Sequence, residues 1–395
     1  MNLLKNKQVL ISLIIVLAVV VFFGLTMIPS VNPTPTNLPI AIVNEDLGVE
    51  IPNQGKLNMG NTIVESIQKT SKPTSDEEPA IDWVLVNSYE EVMNGLNNQE
   101  YYAALVIPKD FSAKQASLKT PKPSSSEIEI LINQGMNSAA ANMAGQMLNG
   151  VVDNINLNIR TDLLKGFEMQ GGTLTTEQAA VLATPITKKV TNVNEVGPNS
   201  ANGNAPVLLF QPIWLASIAG SVTMFLKIRK LSFSNRTKKL FTLSEQVLVG
   251  ALLALTAGFG LAWISDAIGM NIPQFTNTAL FLSLSFFSFY LMISAVLSWM
   301  GMKGISIFIV ILYFGAPLLA MAPELMSPFY RQWIYSWLPM RFMIEGLRDL
   351  FYFSKELNWN QPTVVLLGIA IVSIIVLLTS ALKPATSKKP EAQTA

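Results

Sequence analysis

VLISLIIVLAVVVFFGLTMI, residues 9–28, runs for twenty positions without a charge. A bilayer core about 30 Å thick takes roughly 20 residues of helix, each rising about 1.5 Å. The stretch therefore has the length and apolarity of a membrane span. It leads into Pro29-Ser30-Val31-Asn32-Pro33 with no small-residue cleavage pattern, and it exceeds the roughly 7–15 apolar residues of a cleaved signal peptide. It reads as an uncleaved signal anchor. Five further runs qualify: 207–226, 247–265, the Phe- and Ser-rich 278–300, the shorter 305–321 with Pro317, and 364–382.

Composition agrees. Of 395 residues half are hydrophobic and 13% are charged, with a mean hydropathy of +0.39, against about 25% charged in soluble domains. Cysteine and histidine are absent. That removes disulfides, thiolate nucleophiles, thiolate or imidazole metal sites and every imidazole-dependent triad. The net charge of +1 hides a segregation. Residues 30–205 carry 19 acidic and 11 basic side chains, a net of −8, and the rest of the chain carries +9.

Lysine and arginine placement sets orientation. Lys5 and Lys7 precede the first run; Lys227, Arg229, Lys230, Arg236, Lys238 and Lys239 lie between the second and third; Lys303 separates the fourth and fifth; Lys383, Lys388 and Lys389 follow the sixth. All fall on one side, which makes both termini cytoplasmic and residues 30–205 external. The expectation is a bacterial cell-membrane protein of six transmembrane helices with a large extracytoplasmic α/β domain inserted between helices 1 and 2. Its parts are 1–29 (cytoplasmic N-terminus and helix 1), 30–205 (external domain with a long helix), 206–322 (helices 2–5), 323–361 (an outer hairpin) and 362–395 (helix 6 and cytoplasmic tail).

Within 30–205, a Pro-rich stem precedes strands expected at 40–43, 81–86, 101–107 and 127–132, together forming a mixed sheet. Helices are expected at 57–69, after a capping box at Ser88-Tyr89-Glu90-Glu91, at 137–170 and at 175–183, with 71–79 a polar loop and 185–205 irregular chain returning to the membrane. On the long helix, Leu148, Val152, Ile155, Ile159, Leu163 and Phe167 form one apolar stripe. That stripe packs on the sheet or, alternatively, on the same helix of a second subunit.

Catalytic signals are lacking. No Gly-x-x-x-x-Gly-Lys-Ser/Thr loop and no Gly-x-Ser-x-Gly elbow occurs. Glu45, Asp46 and Glu50 read as a solvated turn rather than a cation site. No ionisable residue lies near the middle of a span, so nothing marks a proton- or sodium-coupling site. The energy for any transport must come from elsewhere. In 323–360, Trp333, Tyr335, Trp337, Phe342, Phe351 and Tyr352 have the aromatic density of a membrane interface. Arg341, Glu345, Arg348 and Asp349 fall on one helical face, and Met343, Ile344, Leu347, Leu350 and Phe351 on another. That is an amphipathic helix expected in the outer leaflet, with a loop on the external domain as the alternative. Glu345, four residues after Arg341 and three before Arg348, is placed to face two guanidiniums, a candidate outer-gate cluster.

The chain resembles the type-2 ABC-transporter permeases: one span, a large outer domain, five more spans, and a Leu338-Pro339 to Glu345-Gly346-Leu347-Arg348 segment before the last. Ile42-Val43-Asn44-Glu45-Asp46, Tyr101-Tyr102-Ala103-Ala104-Leu105-Val106-Ile107-Pro108-Lys109-Asp110-Phe111-Ser112 and Asn133-Gln134-Gly135-Met136-Asn137 are similar to its YhgE/Pip (phage infection protein) branch. The resemblance implies a non-enzymatic permease subunit of an exporter, working as a homodimer or paired permease. ATP is handled by a separate ABC ATPase, with no cofactor on this chain and no nucleic-acid partner. The ATPase would dock on the connection carrying Lys227, Arg229, Lys230, Ser232, Phe233 and Arg236. The other class kept open is a non-transporting surface protein serving phage adsorption or a secretion machine.

Overall fold

The computed structural model describes residues 33–51, 55–70, 78–169 and 173–383, with Leu17, Val20, Val21, Leu25 and Val31 besides. Two compact units divide the chain: Met27–Gly197 with Ala320–Trp333, and Met1–Thr26 with Pro198–Leu319 and Ile334–Ala395.

The first unit is built on β1 (Leu38–Asn44), β4 (Ile81–Val86), β5 (Ala103–Ile107), β6 (Ser126–Asn133) and β7 (Ile186–Val193), in the spatial order β4-β1-β5-β6-β7. Strand β1 runs parallel to β4 and β5, β6 is antiparallel to β5, and β7 is parallel to β6. Alternate β1 residues serve different cores. Leu38, Ile40 and Ile42 pack beneath α1 (Met59–Thr70) and α4 (Ser138–Met169), whereas Ala41 and Val43 pack beneath α2 (Tyr89–Asn97). Burial on both faces explains why β1 and β5 read as unbroken apolar runs.

Helix α4 covers the expected stretch, and its stripe turns toward the sheet: Leu148 and Val152 are buried in the sheet core, with Ile155 and Ile159 packed against it. Ser88 caps α2 by accepting the Glu91 N–H at 3.1 Å. The Glu91 carboxylate accepts from the Asn87 N–H instead, at 2.8 Å, so the return bond is shifted by one residue. The complete capping box is at Thr175 and Gln178, which opens α5 (Thr176–Ala183).

Two features depart from the sequence reading. Residues 49–51 and 55–57 pair as the antiparallel strands β2 (Val49–Ile51) and β3 (Gly55–Leu57); Leu57, expected to begin a helix, belongs to β3, and α1 starts at Met59. The chain after Pro185, expected to be irregular, supplies β7. This edge strand has mostly polar, outward-facing residues, and Lys188 and Lys189 pair with Asp153 and Glu129 at 2.8 and 2.9 Å. The segment Ala320–Trp333 also belongs to this unit. The Glu324 carbonyl accepts the Thr36 N–H at 2.9 Å, its carboxylate accepts the Tyr102 hydroxyl at 2.7 Å, and Ala322 and Leu325 join the sheet core. The α3 helix (Phe111–Ser117) follows β5.

The second unit contains α6 (Ala205–Ile228), α7 (Arg236–Ala267), α8 (Phe275–Met300), α9 (Ile305–Leu319), α10 (Pro339–Tyr352) and α11 (Gln361–Thr379). Among the described residues four stretches are long and apolar enough to cross a membrane, Ala205–Ile228, Arg236–Ala267, Phe275–Leu319 and Gln361–Leu382, against six expected. The first expected span, 9–28, lies outside the described residues except for Leu17, Val20, Val21 and Leu25, as do Lys5, Lys7, Lys388 and Lys389. The expected fourth and fifth share one stretch, interrupted by a 3₁₀ turn at Gly301–Gly304. The Trp214 ring lies 5.1 Å from Phe289 and 6.2 Å from Phe308. A straight helix would hold positions 289 and 308 about 28 Å apart, so one indole touching both means that the chain reverses at this turn. Gly301 makes the reversal with φ +65°.

Helix α8 is central, packing against α6, α7, α10 and α11. On α7, Gly250, Ala254, Gly258 and Ala262 are buried at four-residue spacing, a small-residue face that lets two backbones approach. A side chain at Gly258 would meet the Ser283 hydroxyl and the Ala279 carbonyl of α8, whereas one at Gly260 would meet nothing. Gly258→Ala is therefore expected to destabilise the helical unit by about 1–3 kcal/mol. Gly260→Ala should leave it unchanged or slightly firmer. Thermal unfolding of the detergent-solubilised variants checks the contrast.

Candidate functional site

Helix α10 begins with Pro339 in its first turn, where a missing N–H costs nothing. Eleven of its fourteen residues are buried, Arg348 and Asp349 among them. The expected solvated charged face is thus packed inside the unit, against α6, α8, α9 and α11. A side chain at Gly346 would meet the Phe281 ring of α8. The structure brings Arg341 and Glu345 together, Nε to Oε1 at 3.7 Å, an ion pair without a hydrogen bond. The Arg341 guanidinium stacks over Phe342 and Tyr335, 4.6 and 5.3 Å from the ring centroids. Arg348 does not join them. Its Nε and Nη2 are buried with no hydrogen-bond partner among the described residues, so Glu345 makes a close pair with Arg341 only, and Arg348 acts on it from a longer distance.

Burial pushes the Glu345 carboxyl above its ordinary value, and the lowering effect of Arg341 and Arg348 does not overcome it. Burial likewise pushes the Tyr352 phenol up to about 12, against the pull of Arg348. The organising acid at this end is Asp349, given no separate role by sequence reasoning. Its carboxylate accepts from Lys355 Nζ at 3.0 Å and Asn360 Nδ2 at 2.8 Å, and its carbonyl from the Lys355 N–H at 3.2 Å. Asn360 in turn caps α11 through the Thr363 N–H at 3.1 Å. The helical spacing marked Asp349 as charged, but its partners lie on the following loop, which periodicity does not reach.

The other end collects the basic residues. Between α6 and α7 runs a short connection closed by Asn235, whose side chain accepts the Lys238 N–H at 2.8 Å. Lys227, Arg229, Lys230, Ser232 and Arg236 are exposed on it, and Phe233 is half-buried. Nearby, Lys239 Nζ donates to the Ser380 carbonyl at 2.8 Å, and Lys383 Nζ donates to the Trp299 carbonyl while lying 4.7 Å over its ring. These lysines cap carbonyls at helix C-termini, where cations are favoured.

In the sheet unit, two of the motif stretches meet at the carboxyl ends of β1 and β5. Asp46, 7% exposed, accepts N–H bonds from Gly48 at 3.2 Å, Gly60 at 3.1 Å and Ser112 at 3.0 Å, with a short fourth bond from the Ser112 hydroxyl. Asn44 Oδ1 accepts the Asp46 N–H at 3.0 Å, Asn58 Nδ2 donates to the Asp46 carbonyl at 2.7 Å, and Ser112 Oγ accepts the Met59 N–H at 2.7 Å. One carboxylate so ties the starts of α1 and α3 to β1. Among the described residues no group of acids is arranged to hold a metal.

Beside this junction lies a depression of about 530 Å³ lined by Glu45, Tyr89, Lys109, Asp110, Glu127 and Glu129, among others. It is lined by residues that follow β1 and β5, by Glu127 and Glu129 of β6 and by Tyr89 of α2. Asp110 is paired with Lys114 at 2.8 Å and Glu129 with Lys189. Burial, with Glu129 and Glu45 nearby, raises the Tyr89 phenol.

The chain joins a bundle of apolar helices with a basic end to an α/β sheet unit, and comparison with known proteins gives its class. Residues 7–382 match the family described as ABC-2 family transporter protein, and the chain belongs to it. Its particular likeness is to the uncharacterized protein YhgE of Bacillus subtilis (strain 168), at 26% identity over 143 residues. That alignment spans 35% of this chain and 17% of the relative's length. It is a YhgE-like type-2 ABC permease. No solved structure matches it.

Two outcomes follow from the geometry. Asp46→Ala leaves three N–H groups and a hydroxyl without their acceptor, and should cost the sheet unit about 2–4 kcal/mol, seen as faster proteolysis between residues 44 and 112 at a given temperature. Glu345, whose carboxyl is raised on folding, binds its proton more tightly in the folded chain than in the unfolded one. Its stabilising contribution is present below its ordinary value and is lost as pH rises through the raised one. Unfolding midpoints measured upward from pH 4.5 should fall less steeply in Glu345→Gln than in the parent chain.

Proposed function

We propose that the chain is the membrane-spanning permease subunit of an ATP-driven exporter, working as a dimer with separate ABC ATPase chains. The observation that carries this reading is family membership over residues 7–382 in a chain without an ATP-binding loop of its own. The energy source then belongs to a partner, and this chain binds neither ATP nor another cofactor. The six-helix count combines 9–28 with the four apolar stretches, the third counted twice because it reverses at Gly301–Gly304. The protein sits in the bacterial cell membrane with both termini and the basic end cytoplasmic and 30–205 outside, as the positive-inside rule directs. The connection bearing Lys227, Arg229, Lys230, Ser232, Phe233 and Arg236 is then the docking surface for the ATPase. Arg341, Glu345 and Arg348 lie at the outer end, where a gate would close.

Orientation is tested with single cysteines in this cysteine-free chain. Lys122→Cys should label with an impermeant thiol reagent on intact cells and Ser234→Cys should not; the reverse pattern inverts the topology. For coupling, an ABC ATPase should co-purify with the solubilised protein. Ser232→Trp and Phe233→Ala should reduce its recovery severalfold while leaving the labelling pattern intact. Undiminished recovery across a scan of 228–240 would place docking elsewhere.

A further inference from the structure

Arg348 is 8% exposed, and its Nε and Nη2 have no acceptor among the described residues. It is not alone on its face of α10. Tyr352, one turn later, has a buried hydroxyl whose hydrogen has no acceptor among the described residues, the Ala205 backbone N–H lying near its oxygen, and Arg341, two turns earlier, has a buried Nε with no hydrogen bond there. Positions 341, 345, 348 and 352 share this face by helical spacing. It is a row of donors with one acid among them.

The acids of the helical unit do not balance it. Asp349 is engaged by Lys355 and Asn360. Glu345 lies against Arg341, and its burial favours the neutral form. Glu245, Asp266 and Glu356 are exposed, residues 1–32 contain no aspartate or glutamate, and the one further acid of the unit, Glu391, lies outside the described residues. A guanidinium taken out of water needs an acceptor, since an unpaired buried charge is strongly disfavoured. The geometry of the vacant donors is specific as well. Nε–H and Nη2–H form the side edge of the arginine fork, which takes two oxygens of one phosphate or carboxylate.

We propose that this face of α10 binds an oxyanion, a phosphate- or carboxylate-bearing group, with Arg348 as its bidentate ligand and Arg341 and Tyr352 as flanking donors. The group reaches the site either as the headgroup of an anionic phospholipid or as a soluble phosphate. The inference needs only the helical unit and is independent of transport or an ATPase.

The test uses the full chain. Its thermal midpoint and equilibrium binding are measured in detergent with inorganic phosphate, and in nanodiscs of phosphatidylglycerol against phosphatidylcholine. One of the two anions should raise the midpoint and bind saturably, which identifies the source. Arg348→Gln should weaken that binding at least about tenfold, the loss of one charged hydrogen-bonded contact. Arg348→Lys, which keeps the charge and loses the fork, should fall between. No response to either anion overturns the proposal, as does equal binding by Arg348→Gln. If Arg348→Gln does not fold, Arg341→Gln and Tyr352→Phe each remove one flanking donor and should weaken binding severalfold; unchanged binding in both overturns it. A midpoint that tracks protein concentration and neither anion would assign the face to a subunit contact instead.

Discussion

The Ser288 hydroxyl sits within hydrogen-bond reach of two carbonyls, that of Leu284 on its own helix at 2.8 Å and that of Leu366 on α11 at 2.9 Å. Ser221 of α6 reaches the Tyr290 carbonyl at 2.9 Å, and the Tyr290 hydroxyl reaches the Gln246 carbonyl of α7 at 3.3 Å. In a hydrocarbon medium no water satisfies a polar group, so each must find its partner inside the protein. The α8 helix answers that constraint for its neighbours. Ser283, Ser285 and Ser298 turn back to carbonyls of their own helix, Ser288 also reaches across to α11, and Ser294 makes no such bond to a carbonyl, while its aromatic rings fill the spaces between. The small residues of α7 extend the same logic by removing side-chain bulk where two helices touch.

Against that background the α10 face stands out physically. Most hydroxyls of α6 to α8 are used locally, and the unpartnered buried atoms of α6, α8 and α11 among the described residues are single ones, Trp214 Nε1, Ser294 Oγ and Thr363 Oγ1. Helix α10 instead brings two arginines into a packed environment with one partnered acid between them. The helix is held there by Asp349, which fixes the chain beyond α10 to the cap of α11 through Lys355 and Asn360. A rigid frame around unsatisfied donors is what a binding surface requires, and it differs from the basic end, where Lys239 and Lys383 spend their hydrogens on helix carbonyls.

In the sheet unit the same accounting is done by one side chain. Asp46 accepts four donors from three segments, so the Ile42-to-Asp46 stretch and the Tyr101-to-Ser112 stretch are parts of a single junction. Their resemblance to one family reflects a folding requirement at the carboxyl ends of two adjacent parallel strands.

The sequence by itself determined the apolar runs, the sorting of basic residues, the long amphipathic helix over 138–169 and the existence of strands β1 and β5. Each of these is written in local periodicity or in a partition between water and hydrocarbon, which depends on composition alone. Tertiary structure decided the rest. The burial of β1 and β5 on both faces, and the edge position of β4, were set by the sheet order. β7 is polar and outward-facing, and only its pairing with β6 makes it a strand. The amphipathic pattern of α10 read as a helix half in water, but the charges of one face are packed among α6, α8, α9 and α11. Glu345 had the spacing to serve two arginines, yet among the described residues it makes an ion pair with Arg341 alone, and Arg348 Nε and Nη2 are left without an acceptor. Periodicity says which residues share a face; what that face meets is set by contacts far away in the chain.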